Sequence, residues 1–188
     1  MKKVHSSFII VLVLIVSVLV MILPTFFTKG VSRVELRQEL QLPLILNDDK
    51  DIKILFFGYA GCADVCTPRL QDLAVFYTTL DEETKKRVGL EFLDISLPAD
   101  KSVTHSFANF FNKNFKGIYL NENILRTYTK AFRVYFAQSL LDESEFNHST
   151  NLYLVKKDKN KKELRYIYSS YPFDFKQIIL DIEELKNE

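Results

Sequence analysis

The longest apolar run in the chain is Phe8 to Phe27, FIIVLVLIVSVLVMILPTFF, and between Val4 and Ser32 the only Lys, Arg, Asp or Glu is Lys29. A helix of roughly 20 predominantly apolar residues crosses the hydrocarbon of a bilayer. This run is β-branched throughout and has no polar face, so it does not read as a core helix of a water-soluble domain. Lys2 and Lys3 precede it, as they would in a secretory leader, but no Ala-x-Ala-like cleavage pattern follows. The expectation is a short tail over residues 1–7 and an uncleaved transmembrane signal anchor over residues 8–27.

Beyond the anchor, residues 28–51 form a linker of mixed pattern, and residues 52–188 carry the periodicity of a folded domain. Ile52 to Gly58 is nearly all apolar and short, which predicts a strand covered on both faces. A loop from Tyr59 to Cys66 follows. Pro68 then falls where the first turn of a helix tolerates it, and Leu70, Leu73, Ala74 and Tyr77 recur at helical spacing. Gly89 to Ile95 predicts a second strand, Val103, Phe107, Phe110 and Phe111 an amphipathic helix, Gly117 to Leu120 a short strand, and Asn121 to Phe132 a helix. Thr150 to Val155 and Glu163 to Ser169 predict a hairpin around the polar segment Lys156 to Lys162. Phe175, Ile178, Ile179, Ile182 and Leu185 place a final helix over Phe173 to Leu185. Strand-helix units followed by a hairpin and a helix describe an α/β sheet covered by helices.

Charge separates the two parts. The whole chain has 25 basic and 24 acidic residues. Removing Lys2, Lys3, Lys29 and Arg33 leaves 21 basic against 24 acidic, a net charge of −3 for residues 34–188. That balance excludes a partner held by phosphate neutralisation, so no nucleic acid is expected. An anchor with its N-terminus inside would place the acidic domain on the extracytoplasmic side of a bacterial cytoplasmic membrane, where a cysteine pair can be oxidised.

The chain has two cysteines, Cys62 and Cys66, too few for a disulfide scaffold or a four-cysteine zinc site. They lie four apart in the turn between the first strand and its helix. If that turn is helical, both sulfurs face one way and reach one ion or each other. The start of a helix favours thiolate over thiol, and thiolates are the ligands that soft cuprous copper prefers. A static disulfide closing so short a loop removes little entropy from the unfolded chain, so metal or redox chemistry explains the pair better. His148, before the penultimate strand, is the candidate third ligand; a histidine there also serves as a surface or capping residue. Asp64 between the cysteines reads equally as a tuning charge or a solvated loop acid. His105 reads as a helix-surface residue, His5 lies beyond the anchor, and Lys156 to Lys162 reads as a solvated hairpin tip.

The segment FFGYAGCADVCTP, Phe56 to Pro68, resembles the FFGYTHCPDVCP signature of the Sco/SenC family, and His148 matches the histidine of that family's Asp-His-Ser/Thr motif. The similarity runs from about Ile52 to the C-terminus. It implies a thioredoxin-like fold, a copper ion held by Cys62, Cys66 and His148, and a part in assembling the copper centre of cytochrome c oxidase. The implied partners are a copper-receiving apo-protein, such as an oxidase subunit, a thiol-disulfide redox partner, and the membrane through the N-terminal anchor. The alternative is a thiol-disulfide oxidoreductase in which Cys62 attacks a client disulfide and Cys66 resolves it. Three departures from the family stand out. Ser96 falls where the family has an acidic residue, with Asp94 and Asp100 as spatial substitutes; Asn147 replaces the aspartate before the histidine; and the linker is short for the family's N-terminal hairpin.

Overall fold

The computed structural model describes residues 12–18, 33–42, 50–97, 100–140, 146–158 and 161–188. Contacts divide the chain into two units, Met1–Ser32 and Arg33–Glu188. In the first, residues 12–18 are helical and the rest of the anchor run lies outside the described residues. Among the described residues, no helix is long and apolar enough to cross a membrane.

The second unit is built on a six-stranded sheet in the order β1-β8-β7-β2-β3-β4. Its strands are β1 (Arg33–Glu39), β2 (Ile52–Gly58), β3 (Val88–Asp94), β4 (Lys116–Tyr119), β7 (Leu152–Asp158) and β8 (Lys161–Tyr168). Strands β2, β3 and β4 run parallel, whereas β7 joins β2 antiparallel and continues into β8 and β1. A separate two-stranded ribbon pairs β5 (Phe136–Gln138) with β6 (Phe146–His148).

Both faces of β2 and β3 are buried along their whole length, which explains why β2 reads as a nearly continuous apolar run. Ile52, Ile54 and Phe56 pack under α1 (Cys66–Thr79) and α5 (Phe175–Lys186), through Leu70, Leu73 and Phe76 on one helix and Ile178, Ile182 and Leu185 on the other. Ala108 and Phe107 of α3 (Lys101–Phe111) complete that side. Leu55 and Phe57 face the opposite side, where Leu125, Tyr128 and Phe132 of α4 (Glu122–Phe132) cover them.

Helix α2 (Glu82–Arg87), strand β1 and the short strands β5 and β6 escape the periodicity argument. Helix α2 (Glu82–Arg87) has no apolar stripe; Asp81 caps it by accepting the Thr84 N–H, with Glu82 and Glu83 in the first turn and Lys85, Lys86 and Arg87 in the last. Those charges complement the helix dipole. Strand β1 lies in the segment read as linker, and it is fastened by charge. The Arg33 Nε and Nη2 each reach a carboxylate oxygen of buried Asp181 at 2.8 Å, and the guanidinium stacks 4.4 Å over the Tyr166 ring. The compact unit therefore begins at Arg33.

The lysine run also departs from a purely solvated tip. Lys156 donates to Asp51 at 2.8 Å and to the Leu185 carbonyl at 2.9 Å. Helix α4 ends on Arg133 at φ 53°, a left-handed position whose N–H caps the helix by bonding the Thr129 and Lys130 carbonyls.

Lys53 is the one charged residue of β2. It is fully buried, and its ammonium lies 3.1 Å from the Glu91 carboxylate of β3, itself 2% exposed. Taking both charges out of water is costly, and the pair offsets that cost only while both members are present. Lys53→Met is expected to lower stability by about 3–5 kcal/mol by removing the buried cation that faces the Glu91 carboxylate. Adding Glu91→Leu should recover most of that loss. Urea unfolding checks both, and equal stability of single and double variants would contradict the assignment.

Candidate metal centre

The site lies where β2 ends and α1 begins. Gly58 closes β2, and a Cβ built on it would stand 2.6 Å from the Cys66 sulfur and 2.9 Å from the Phe92 ring. The missing side chain lets α1 start directly against the strand. Gly61, at φ +94°, then turns the loop in a conformation that side chains rarely adopt.

Cys66 is the first residue of α1 and is fully buried; Cys62, 4% exposed, precedes the helix. Both are free thiols. The loop is held by its own backbone. The Cys62 N–H donates to the Tyr59 carbonyl at 3.2 Å, and the Cys62 carbonyl accepts from the Thr67 N–H at 3.2 Å and the Thr67 hydroxyl at 2.8 Å. The Cys66 N–H points at the Cys62 sulfur, 3.3 Å away. Val65, the residue flanking the helix, makes no side-chain cap, so the Cys62 sulfur takes up amide donors that a Ser or Asp would otherwise satisfy.

That arrangement divides the two thiols. Cys62 titrates well below the usual thiol range, chiefly because the Cys66 thiol donates to its sulfur; His148 and the amides of Cys66 and Val65 add to this, against the effect of burial. Cys66 is pushed up by the same hydrogen bond, by burial and by the Cys62 charge. One proton leaves the pair easily and the second is held.

His148 arrives from the other direction, on β6. Its Nδ1 lies 2.9 Å from the Ser149 carbonyl, which can only accept, so Nδ1 carries a proton and the neutral ring has its lone pair on Nε2. That Nε2 is 3.7 Å from the Cys66 sulfur. The sulfurs of Cys62 and Cys66 and a ring nitrogen of His148 all fall within 4.8 Å of one another, the one such group among the described residues. An open cleft of about 310 Å³ leads to the group, lined by Tyr59, Gly61 to Val65, Phe146 to His148 and Thr150.

The other sequence candidates are placed elsewhere or serve other ends. Asp64 and Asn147 line the cleft but stay outside the three-residue group. Asp94 is buried and accepts from the Ser96 N–H and hydroxyl and from the Thr104 hydroxyl at 2.6 Å, tying β3 to α3. Asp100 caps α3. Asp94 is thus engaged in joining strand to helix, and Asp100 in starting the helix. His105 is exposed beside Asn109, and His5 is outside the described residues.

A family model described as SCO1/SenC matches residues 49–185. The chain belongs to this family. A SCO2-like protein from Rickettsia conorii is 26% identical over 132 residues, covering 66% of this chain and 63% of that protein. The chain thus spans less than two thirds of the length of these curated relatives. The solution structure of apo Sco1 from Thermus thermophilus superposes with a TM-score of 0.63 at 23% identity, covering 84% of this chain and 95% of that one. Arabidopsis thaliana ScoI, solved with copper bound, gives 0.62 at 20% identity over 73% and 86%. BsSco, described as having a disulfide switch and as a member of the Sco family of cytochrome c oxidase assembly proteins, gives 0.55 at 15% identity over 81% and 92%. The shared fold is the mixed α/β, thioredoxin-like Sco fold.

The division of the thiols has a direct optical test. Thiolate ultraviolet absorbance should persist in the reduced protein far below the ordinary cysteine pKa of about 8.5. Cys66→Ala removes the thiol that donates to Cys62, so the titration should move up towards the ordinary value. An unchanged titration in that variant would contradict the assigned cause.

Proposed function

We propose that this protein is a membrane-anchored copper-binding assembly factor that carries a cuprous ion on Cys62, Cys66 and His148 and delivers it to, or prepares, the copper site of cytochrome c oxidase. The observation that carries the reading is the convergence of two sulfurs and a lone-pair nitrogen within 4.8 Å. Two thiolates and a neutral imidazole are a soft donor set suited to cuprous copper. The set fits a cargo rather than an enclosed structural ion: Cys62 lines the cleft, so an incoming ligand meets it first, whereas Cys66 lies beneath it. A client thiolate would enter from the Cys62 side and exchange with it.

The anchor belongs to the same reading. Residues 8–27 hold the protein in the bacterial cytoplasmic membrane as a single pass, residues 1–7 lie inside, and the compact unit from Arg33 to Glu188, which takes in most of the segment read as linker, is the extracytoplasmic domain. The exposed apolar side chains of residues 12–18 support this, since lipid is the solvent that tolerates them. Ser17 supports it too, because its hydroxyl is satisfied within the helix by the Val13 carbonyl at 2.8 Å.

A second reading draws on the division of the thiols. A low-titrating Cys62 beside a protonated Cys66 is the arrangement of a dithiol reductant. The Cys62 thiolate attacks a client disulfide and releases one client thiol. Cys66 then gives up its proton, attacks the mixed disulfide and frees the second client thiol, leaving a Cys62–Cys66 disulfide. A dithiol redox partner must reduce that disulfide before either cycle repeats, because the oxidised pair cannot bind copper.

His148 separates the two roles. In the reduced protein, His148→Ala should weaken cuprous binding by about 10-fold or more, measured by competition with a chelator, while reduction of a small disulfide continues at near the parental rate. If His148→Ala binds copper as tightly as the parent, the three-ligand cargo site is wrong. Loss of disulfide reduction with copper binding intact would make the histidine part of the thiol chemistry instead.

A further inference from the structure

We propose that Tyr59 is a positioning residue that couples the cysteine loop to the histidine ribbon and so holds His148 at the copper. The proposal rests on the copper reading above. The two halves of the site come from different places: Cys62 and Cys66 follow β2, whereas His148 ends the β5-β6 ribbon, which among the described residues has no ladder to the six-stranded sheet. Within the ribbon, His148 pairs with Phe136 and Phe146 with Gln138. The next residue, Ser149, is tied back to Tyr135, N–H to carbonyl at 2.8 Å and hydroxyl from the Tyr135 N–H at 2.9 Å. These bonds shape the ribbon without setting its distance from the cysteines.

Tyr59 supplies that link. Its backbone belongs to the cysteine side, where its carbonyl accepts the Cys62 N–H and its own N–H faces the Cys66 sulfur. Its ring belongs to the ribbon side, 6.0 Å from the His148 ring at 81° and 5.4 Å from the Phe146 ring. It also packs against the apolar clusters on both faces of the sheet. Edge-on contact fixes the plane of the imidazole, while the Ser149 carbonyl fixes its tautomer, and together they aim Nε2 at the sulfurs. The contacts require a ring at position 59, and a phenylalanine ring meets that requirement.

The test is a double-mutant cycle on the full-length protein in detergent, reduced and titrated with cuprous ion against a chelator. Tyr59→Leu should weaken binding about 10-fold, and Tyr59→Phe should match the parent. In a His148→Ala background Tyr59→Leu should have no further effect, because its influence passes through the histidine. Phe146→Leu, which removes the other ring held by Tyr59, gives the same non-additive pattern and serves if Tyr59→Leu does not fold. Without copper, the imidazole proton resonances of His148 should shift in Tyr59→Leu and stay in place in Tyr59→Phe. Parental affinity in Tyr59→Leu, or equal weakening in both backgrounds, would overturn the role of Tyr59 alone. Parental affinity in His148→Ala would overturn the copper reading and this role with it.

Discussion

The structure turns on the contact between the Gly58 backbone and the Cys66 sulfur. A side chain on Gly58 would overlap that sulfur and the Phe92 ring, so only glycine lets helix α1 begin flush with the end of β2. From that constraint the rest of the site follows. Cys66 is buried as the first helical residue, Cys62 is left just outside the helix with its sulfur under the free amides, and the cleft opens on the Cys62 side. Burial of both faces of β2 and β3 supports this platform, and the buried Lys53–Glu91 pair joins the two strands.

Chemically, the site is poised by asymmetry. One sulfur is stabilised as an anion by a neighbouring thiol and by helix-start amides, and the other is kept protonated beneath it. Binding a soft cation requires the second proton to leave as well, so the ion replaces the proton as the partner that holds both sulfurs together. The same asymmetry is what the dithiol reading draws on. The imidazole breaks the tie, since it adds a third donor that thiol exchange does not need.

Much of this was legible in the residues. The strand Ile52 to Gly58, the helix with Pro68 in its first turn and the final helix follow from apolar spacing, because each buries a continuous face. Cys62 and Cys66 were legible as a pair from their spacing and position. His148 was not legible from its surroundings alone: its approach depends on the β5-β6 ribbon, whose strands have three residues each and lack an alternating pattern. Strand β1 was hidden because its hold comes from Arg33 and Asp181, 148 positions apart. Lys53 and Glu91 read as interruptions of apolar strands, and only their diagonal places across the β2–β3 pairing make them a pair. Asp94 and Asp100, the carboxylates offered in place of the acid absent at Ser96, bind helix and turn groups instead.

The central claim is that two sulfurs and one imidazole hold a single cuprous ion. X-ray absorption at the copper edge of the reduced, loaded protein tests it most directly. The account predicts two sulfur scatterers and one nitrogen scatterer with the outer-shell pattern of an imidazole. A spectrum of two sulfurs alone, or one unchanged by His148→Ala, would contradict it.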